Sequence, residues 1–228
     1  MTLPFTHAQF LDVFGAYNAA LWPAAAMLWV ATLAVLAWRV GRGAQADRAV
    51  AWLLAAHWAW SGVAYHWMFF RSINPAAAVF AGLFVFEALL FAWMALAPSG
   101  LHIEAPRGPW GALAVVLIVY ALLYPLAGLG FGLAYPRMPI FAVPCPTAIL
   151  TCGVLLLASP VRRLAAIVPI LWSAIGGSAA FLLGITADLA LVAAGTLLLF
   201  RVLSHSDAAI GRRSKNQPDD VRMSHGPR

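Results

Sequence analysis

The chain has 228 residues, 63% of them hydrophobic and 10% charged, with a formal net charge of +6 and a mean hydropathy of +0.86. Soluble domains carry about 25% charged residues, and a soluble fold of this size cannot hide so much apolar surface, so lipid is the solvent that remains. The basic residues sit at loop ends and in the C-terminal tail, where membrane orientation explains them better than a nucleic-acid partner.

Residues 1–17 predict an amphipathic segment on the outer interface. Thr6 and Gln9 have capping-box spacing, and Phe10, Phe14 and Tyr17 recur at helical spacing. The first residues lack the basic stretch of a cleavable signal peptide. Residues 18–204 then predict a transmembrane domain of seven helices, near 18–40, 49–70, 76–97, 109–134, 146–159, 164–184 and 186–204. A span of the ~30 Å hydrocarbon core takes about 20 residues, and only the fifth falls clearly short. Seven spans put twelve basic residues on one side, from Arg39, Arg42 and Arg48 to the tail, and leave Arg71 and Arg137 on the other. The crowded side is cytoplasmic by the positive-inside rule. Residues 205–228, polar and aperiodic, predict a disordered basic cytoplasmic tail. The expected fold class is therefore all-α, a polytopic membrane protein with its N-terminus outside. Thirteen arginines against one lysine, with abundant alanine, suit a GC-rich bacterial source and hence the inner membrane.

Ionisable residues within a span are costly and point to function. His57 in the second span and Glu87 in the third both lie about 20 Å in from the outer loop. They form either a proton-linked pair or a polar contact that only locks two helices together. His57, Ser61 and Tyr65 follow at four-residue intervals and make a polar stripe toward the outer surface, while His66 points nearly the other way. The fifth span opens with PRMPIFAVPCPT, in which Pro139, Pro144 and Pro146 forbid a continuous helix. Irregular backbone at membrane depth persists where it is buried in protein or lines a cavity, and proline-interrupted segments mark transporter binding sites. A helix starting at Pro146 would aim its positive end at an outer cavity beside Cys145 and Thr147. Cys145 and Cys152, seven residues apart on one helix, are too distant for a disulfide and predict free thiols. In the sixth span Gly176, Ala180 and Gly184 repeat every four residues, with Ser173, Gly177 and Ser178 alongside, a face suited to close helix packing.

Phe14-x-x-Tyr17-Asn18-x-x-x-Trp22-Pro23, the run Tyr65 to Pro75 (YHWMFFRSINP), Pro144-Cys145-Pro146-Thr147, and Ile175 to Gly184 (IGGSAAFLLG) together resemble an uncharacterised family of bacterial multi-pass membrane proteins. The resemblance covers most of residues 1–204 and implies no activity. All four stretches fall at the outer ends of spans in the predicted topology, which adds Asn18 to the candidate residues.

These features favour a small transporter or permease-like protein with an outward-facing polar cavity, or a proton path, formed by Asn18, His57, Ser61, Tyr65, His66, Glu87, Cys145 and Thr147. A membrane-embedded redox or metal-binding protein is the first alternative, with His66 and Cys145 as candidate metal ligands. An accessory or assembly subunit of a membrane complex is the second. An enzyme is disfavoured because no nucleophile–base signature stands out, and no catalytic residue is assigned. A retinal protein is excluded because the lone lysine, Lys215, lies in the tail. No cofactor is assigned. The bilayer is the expected partner, a small molecule or metal ion and self-association stay open, and nucleic acid is not expected.

Overall fold

The computed structural model describes residues 4–215, with side chains through Ser204. It is helical throughout: α1 His7–Arg42, α2 Asp47–Trp60, α3 Ala77–Leu96, α4 Gly108–Leu122, α5 Tyr124–Gly130, α6 Pro144–Leu156, α7 Arg163–Leu183 and α8 Leu189–Lys215. Among the described residues no strand forms beyond one isolated bridge, Ile103 to Ala158. Four helical runs, His7–Ser72, Ala77–Leu96, Arg163–Leu183 and Thr186–Ser204, are long and apolar enough to cross a membrane. The bent pair α4–α5 makes a fifth if counted as one span.

The capping box closes as the sequence predicts: Gln9 N–H donates to Thr6 Oγ1 at 3.2 Å and Thr6 N–H to Gln9 Oε1 at 2.8 Å. From there α1 continues through Asn18 and Pro23 to Arg42 without a break, so the amphipathic segment forms the first turns of this helix. At 36 residues it is about 54 Å long. The run His7–Ser72 then folds back on itself. Thr32 Oγ1 and His57 Nε2 are 2.8 Å apart, whereas 25 residues along one straight helix would separate them by about 37 Å. The reversal is the 3₁₀ turn Gly43–Ala46, where Gly43 takes φ +62°, a conformation glycine adopts without steric cost.

Beyond Trp60, α2 widens into a π-helix over Ser61–Trp67, with Met68 N–H reaching five residues back to the Val63 carbonyl at 3.1 Å. Such segments recur at functional sites. Gly62 brings α3 close here, since a Cβ would lie 3.0 Å from Phe84 Cβ and 3.1 Å from the Ala81 carbonyl oxygen.

Three predicted boundaries change. The continuous span 109–134 is two helices bent by 71°. Pro125 has no N–H to carry the ladder across the break, and the Trp29 indole donates to the Leu122 carbonyl there at 3.0 Å. The fifth helix starts at Pro144 rather than Pro146. Helix α8 runs to Lys215, so the first part of the predicted disordered tail is helical, and residues 216–228 lie outside the described residues.

The shortness of α6 has a packing reason. Every residue from Pro144 to Leu156 except Cys145 is buried, so α6 is the core of a ring of longer helices. Gly153 lets α4 approach, a Cβ there standing 3.0 Å from the Ala114 carbonyl oxygen. The irregular chain leading into α6 is held by side chains. Asn18 Nδ2 donates to the Pro136 and Met138 carbonyls at 2.6 and 2.8 Å, and Ser61 Oγ to the Ala142 carbonyl at 3.2 Å. Helices α7 and α8 meet at Gly177 and Ser173, two of the small residues the sequence singled out, and at Gly195, which it did not: a Cβ on Gly177 would come within 2.4 Å of Val192, and one on Gly195 within 2.2 Å of Ser173.

At the arginine-rich end, buried Asp47 gathers the loops. It pairs with Arg39 at 2.6 Å, contacts His102 at 3.2 Å and accepts the Ile103 N–H at 3.1 Å. The outer surface of the bundle exposes Trp22, Val40, Leu89 and Phe181 to more than half their area, an apolar exterior suited to lipid.

Candidate functional site

At the opposite end from Asp47, where α1 starts and the π-helix ends, lies a cavity of about 170 Å³. Eight aromatic side chains line it, and apolar surface dominates, so it is an aromatic chamber with a few polar groups rather than the polar cavity expected. Its mouth is marked by exposed Ser178 and half-buried Phe10, Ile175 and Leu183.

His66 stands in the wall, delivered there by the π-helix. Rings of Phe84, Trp172 and Phe80 surround it at centroid distances of 4.7, 5.0 and 5.7 Å. It is fully buried, and neither ring nitrogen has a hydrogen-bond partner. A buried imidazole normally satisfies at least one nitrogen, so His66 keeps an unsatisfied donor and an unsatisfied acceptor in the cavity wall. Tyr65, its neighbour, stacks on Phe14 and Phe70 at 5.3 and 5.7 Å and closes the side toward α1.

A second polar group lines the same cavity. The turn Thr186–Asp188 before α8 places Asp188, 4% exposed, where the Tyr124 hydroxyl and the Cys145 thiol both donate to its carboxylate. Each partner arrives by a backbone irregularity. The bend between α4 and α5 swings Tyr124 inward as the first residue of α5, and Cys145 sits in the first turn of α6 after the proline-interrupted approach. Tyr120 secures the same turn by donating to the Ala187 carbonyl at 2.7 Å.

Of the eight residues predicted from sequence, Tyr65, His66 and Cys145 line the cavity and the other five do not. Asn18 and Ser61 satisfy loop carbonyls, and Thr147 bonds Ser61 at 3.1 Å. Their polarity holds irregular backbone inside an apolar interior. His57 and Glu87 do not pair with each other. His57 is turned to α1, bonded to Thr32 and edge-on to Phe141 at 5.0 Å. Glu87 lies on the α3 face within electrostatic reach of Cys152, and both its carboxylate oxygens are buried without a partner. The pair fails because equal depth does not fix the direction each helix face takes. Of the polar stripe, His57 bonds Thr32 and Ser61 bonds Thr147, and only Tyr65 reaches the cavity wall.

Both cysteines are free thiols, as their spacing predicts. His66 and Cys145 share the cavity, yet among the described residues no three His, Cys, Asp or Glu side chains are grouped to hold a metal ion. Asp188, Tyr124 and Trp172 were missed. Asp188 fell in what looks like a tight turn, although an acidic residue between two apolar runs, in a chain with only eight, is a signal in itself.

A protein-family model described as a family of unknown function (DUF6064) matches residues 7–211. No curated protein and no solved structure matches the chain.

Proposed function

The chain belongs to that family of unknown function, DUF6064, and we propose that it is a seven-span bacterial inner-membrane protein of the transporter or permease type, with the aromatic cavity as its substrate site. The observation that carries this is the cavity itself: a partly open space built where three helices are irregular, with a fully buried imidazole whose two nitrogens are unpartnered. A subunit that only held helices together would gain nothing from leaving His66 unsatisfied, since a buried unpaired polar group costs about 1–3 kcal/mol. The long run His7–Ser72 supplies two antiparallel passes, and α3, α4–α5, α6, α7 and α8 supply five more. In this topology the cavity lies at the outer end and the Asp47 cluster at the cytoplasmic end. A periplasm-dependent reporter fused after Asn74 should then be active and one after Arg228 inactive; an active C-terminal fusion would remove a span.

The site is tested by filling it. Purified protein and an Ala180→Phe variant, whose new ring would project from the cavity wall, should be screened by thermal shift against small amines, carboxylates, aromatics and metal ions. Some non-metal class should raise the Tm of the parent protein and leave the variant unchanged, and the same class should cross proteoliposomes only with the parent. A parent protein indifferent to every small molecule, or a variant that responds equally, would contradict the assignment.

A further inference from the structure

The chemistry of the cavity wall also selects a ligand class. We propose that the cavity binds a small organic cation, a quaternary ammonium or protonated amine, through the Asp188 carboxylate and the rings of Trp172, Phe80 and His66. This rests on the cavity being a ligand site.

Charge is the first reason. Asp188 is 4% exposed, and its two partners, Tyr124 and Cys145, are neutral donors. Among the described residues the ion pairs involve Asp47 and Asp12 only, and no arginine, lysine or histidine nitrogen lies within 4.0 Å of Asp188. Buried carboxylates are ordinarily matched by a counter-charge, and here that position is open to the cavity. The second reason is the shape of the wall. The planes of Trp172 and Phe80 meet at 75°, His66 and Trp172 at 76°, and His66 and Phe80 at 63°. Three rings steeply inclined to one another wall this side of the cavity, and aromatic faces hold quaternary ammonium groups through ring quadrupoles. The third is size: about 170 Å³ compares with roughly 150 Å³ for a cavity that accepts benzene, which suits a tetramethylammonium-sized head and little more. An anion would meet Asp188 with no arginine or lysine on the lining to offset it. A hard metal ion would need several oxygen ligands, and no such group exists among the described residues. His66 then hydrogen-bonds the polar end of the ligand, such as a hydroxyl or an ammonium proton.

Isothermal titration of the full chain in detergent with tetramethylammonium, choline and 3,3-dimethyl-1-butanol, the uncharged isostere of choline, reads the class directly. The two cations should bind at least about tenfold tighter than the neutral alcohol, an order consistent with desolvated cation–π and carboxylate contacts. Asp188→Asn should erase that preference. Because Asp188 also anchors Tyr124, Trp172→Leu provides a second variant, keeping apolar bulk while removing the π-face; it should weaken the cations and spare the alcohol. Equal binding of cation and alcohol, unchanged in both variants, would overturn the cation assignment while leaving the cavity a ligand site. The same holds if none of the three binds but benzene or indole does. Failure of every probe, benzene and indole included, would overturn the cavity's role as a ligand site as well.

Discussion

At the residue scale, polar side chains in this chain divide by what they touch. Asn18 makes two short hydrogen bonds to carbonyls of the segment before α6, and that segment has no helical ladder to fall back on. Membrane hydrogen bonds average about 0.6 kcal/mol because alternatives exist; without them, an orphaned carbonyl costs about 1–3 kcal/mol. Asn18→Ala should therefore destabilise the protein by about 2–4 kcal/mol in a denaturant titration, and a loss below about 1 kcal/mol would show that the loop finds other donors. Glu87 is the opposite case. Its oxygens have no partner and His57 is bonded elsewhere, so Glu87→Gln should change stability little. The Glu87→Gln, His57→Gln double variant should be additive within about 0.5 kcal/mol. Rescue of one by the other would restore the charged pair. The sequence made the cost of these groups legible but not their direction. Spacing along one helix places His57, Ser61 and Tyr65 on a face, while Thr32, Ala142 and Thr147, which consume that face, come from elsewhere in the chain. Asp188 escaped notice because a residue beside a turn looks solvated until α5 and α6 close over it.

At the element scale, regular helices were the readable part and their interruptions were not. Apolar runs located α3 and α7 to within a few residues. The break at Leu123 was hidden because Tyr124-Pro125 sits inside an otherwise unbroken apolar stretch, and only tertiary contacts such as Trp29 to Leu122 decide whether a proline bends or breaks a helix. The π-segment Ser61–Trp67 carries no composition signal at all, yet it sets where His66 points. Of the small residues on α7, Gly176, Gly177 and Ser173 meet α8, whereas Ala180 and Ser178 line the cavity and Gly184 has open space around it. Gly177→Ala would place a methyl 2.4 Å from Val192 Cγ2, so it should cost about 1–3 kcal/mol through overpacking. Val192→Ala in the same protein should recover most of that loss. A silent Gly177→Ala would mean that α7 and α8 can separate freely.

At the scale of the whole molecule, two ends are built differently around the buried helix α6. One is stitched by Asp47, Arg39 and the loops near Ile103; the other is hollow, with Cys145 half-buried at its edge and Cys152 two turns deeper and fully buried. In the proposed topology, the positive-inside rule puts the hollow end outside. The central claim, a ligand cavity open to the outside, is tested most directly by labelling intact cells with a membrane-impermeant thiol reagent. Cys145 should be modified readily, as judged against a Cys145→Ser control, and protected when the cavity is filled by Ala180→Phe, while Cys152 stays unreactive. Resistance of Cys145 in intact cells together with labelling from the cytoplasmic face of inverted vesicles would contradict the account.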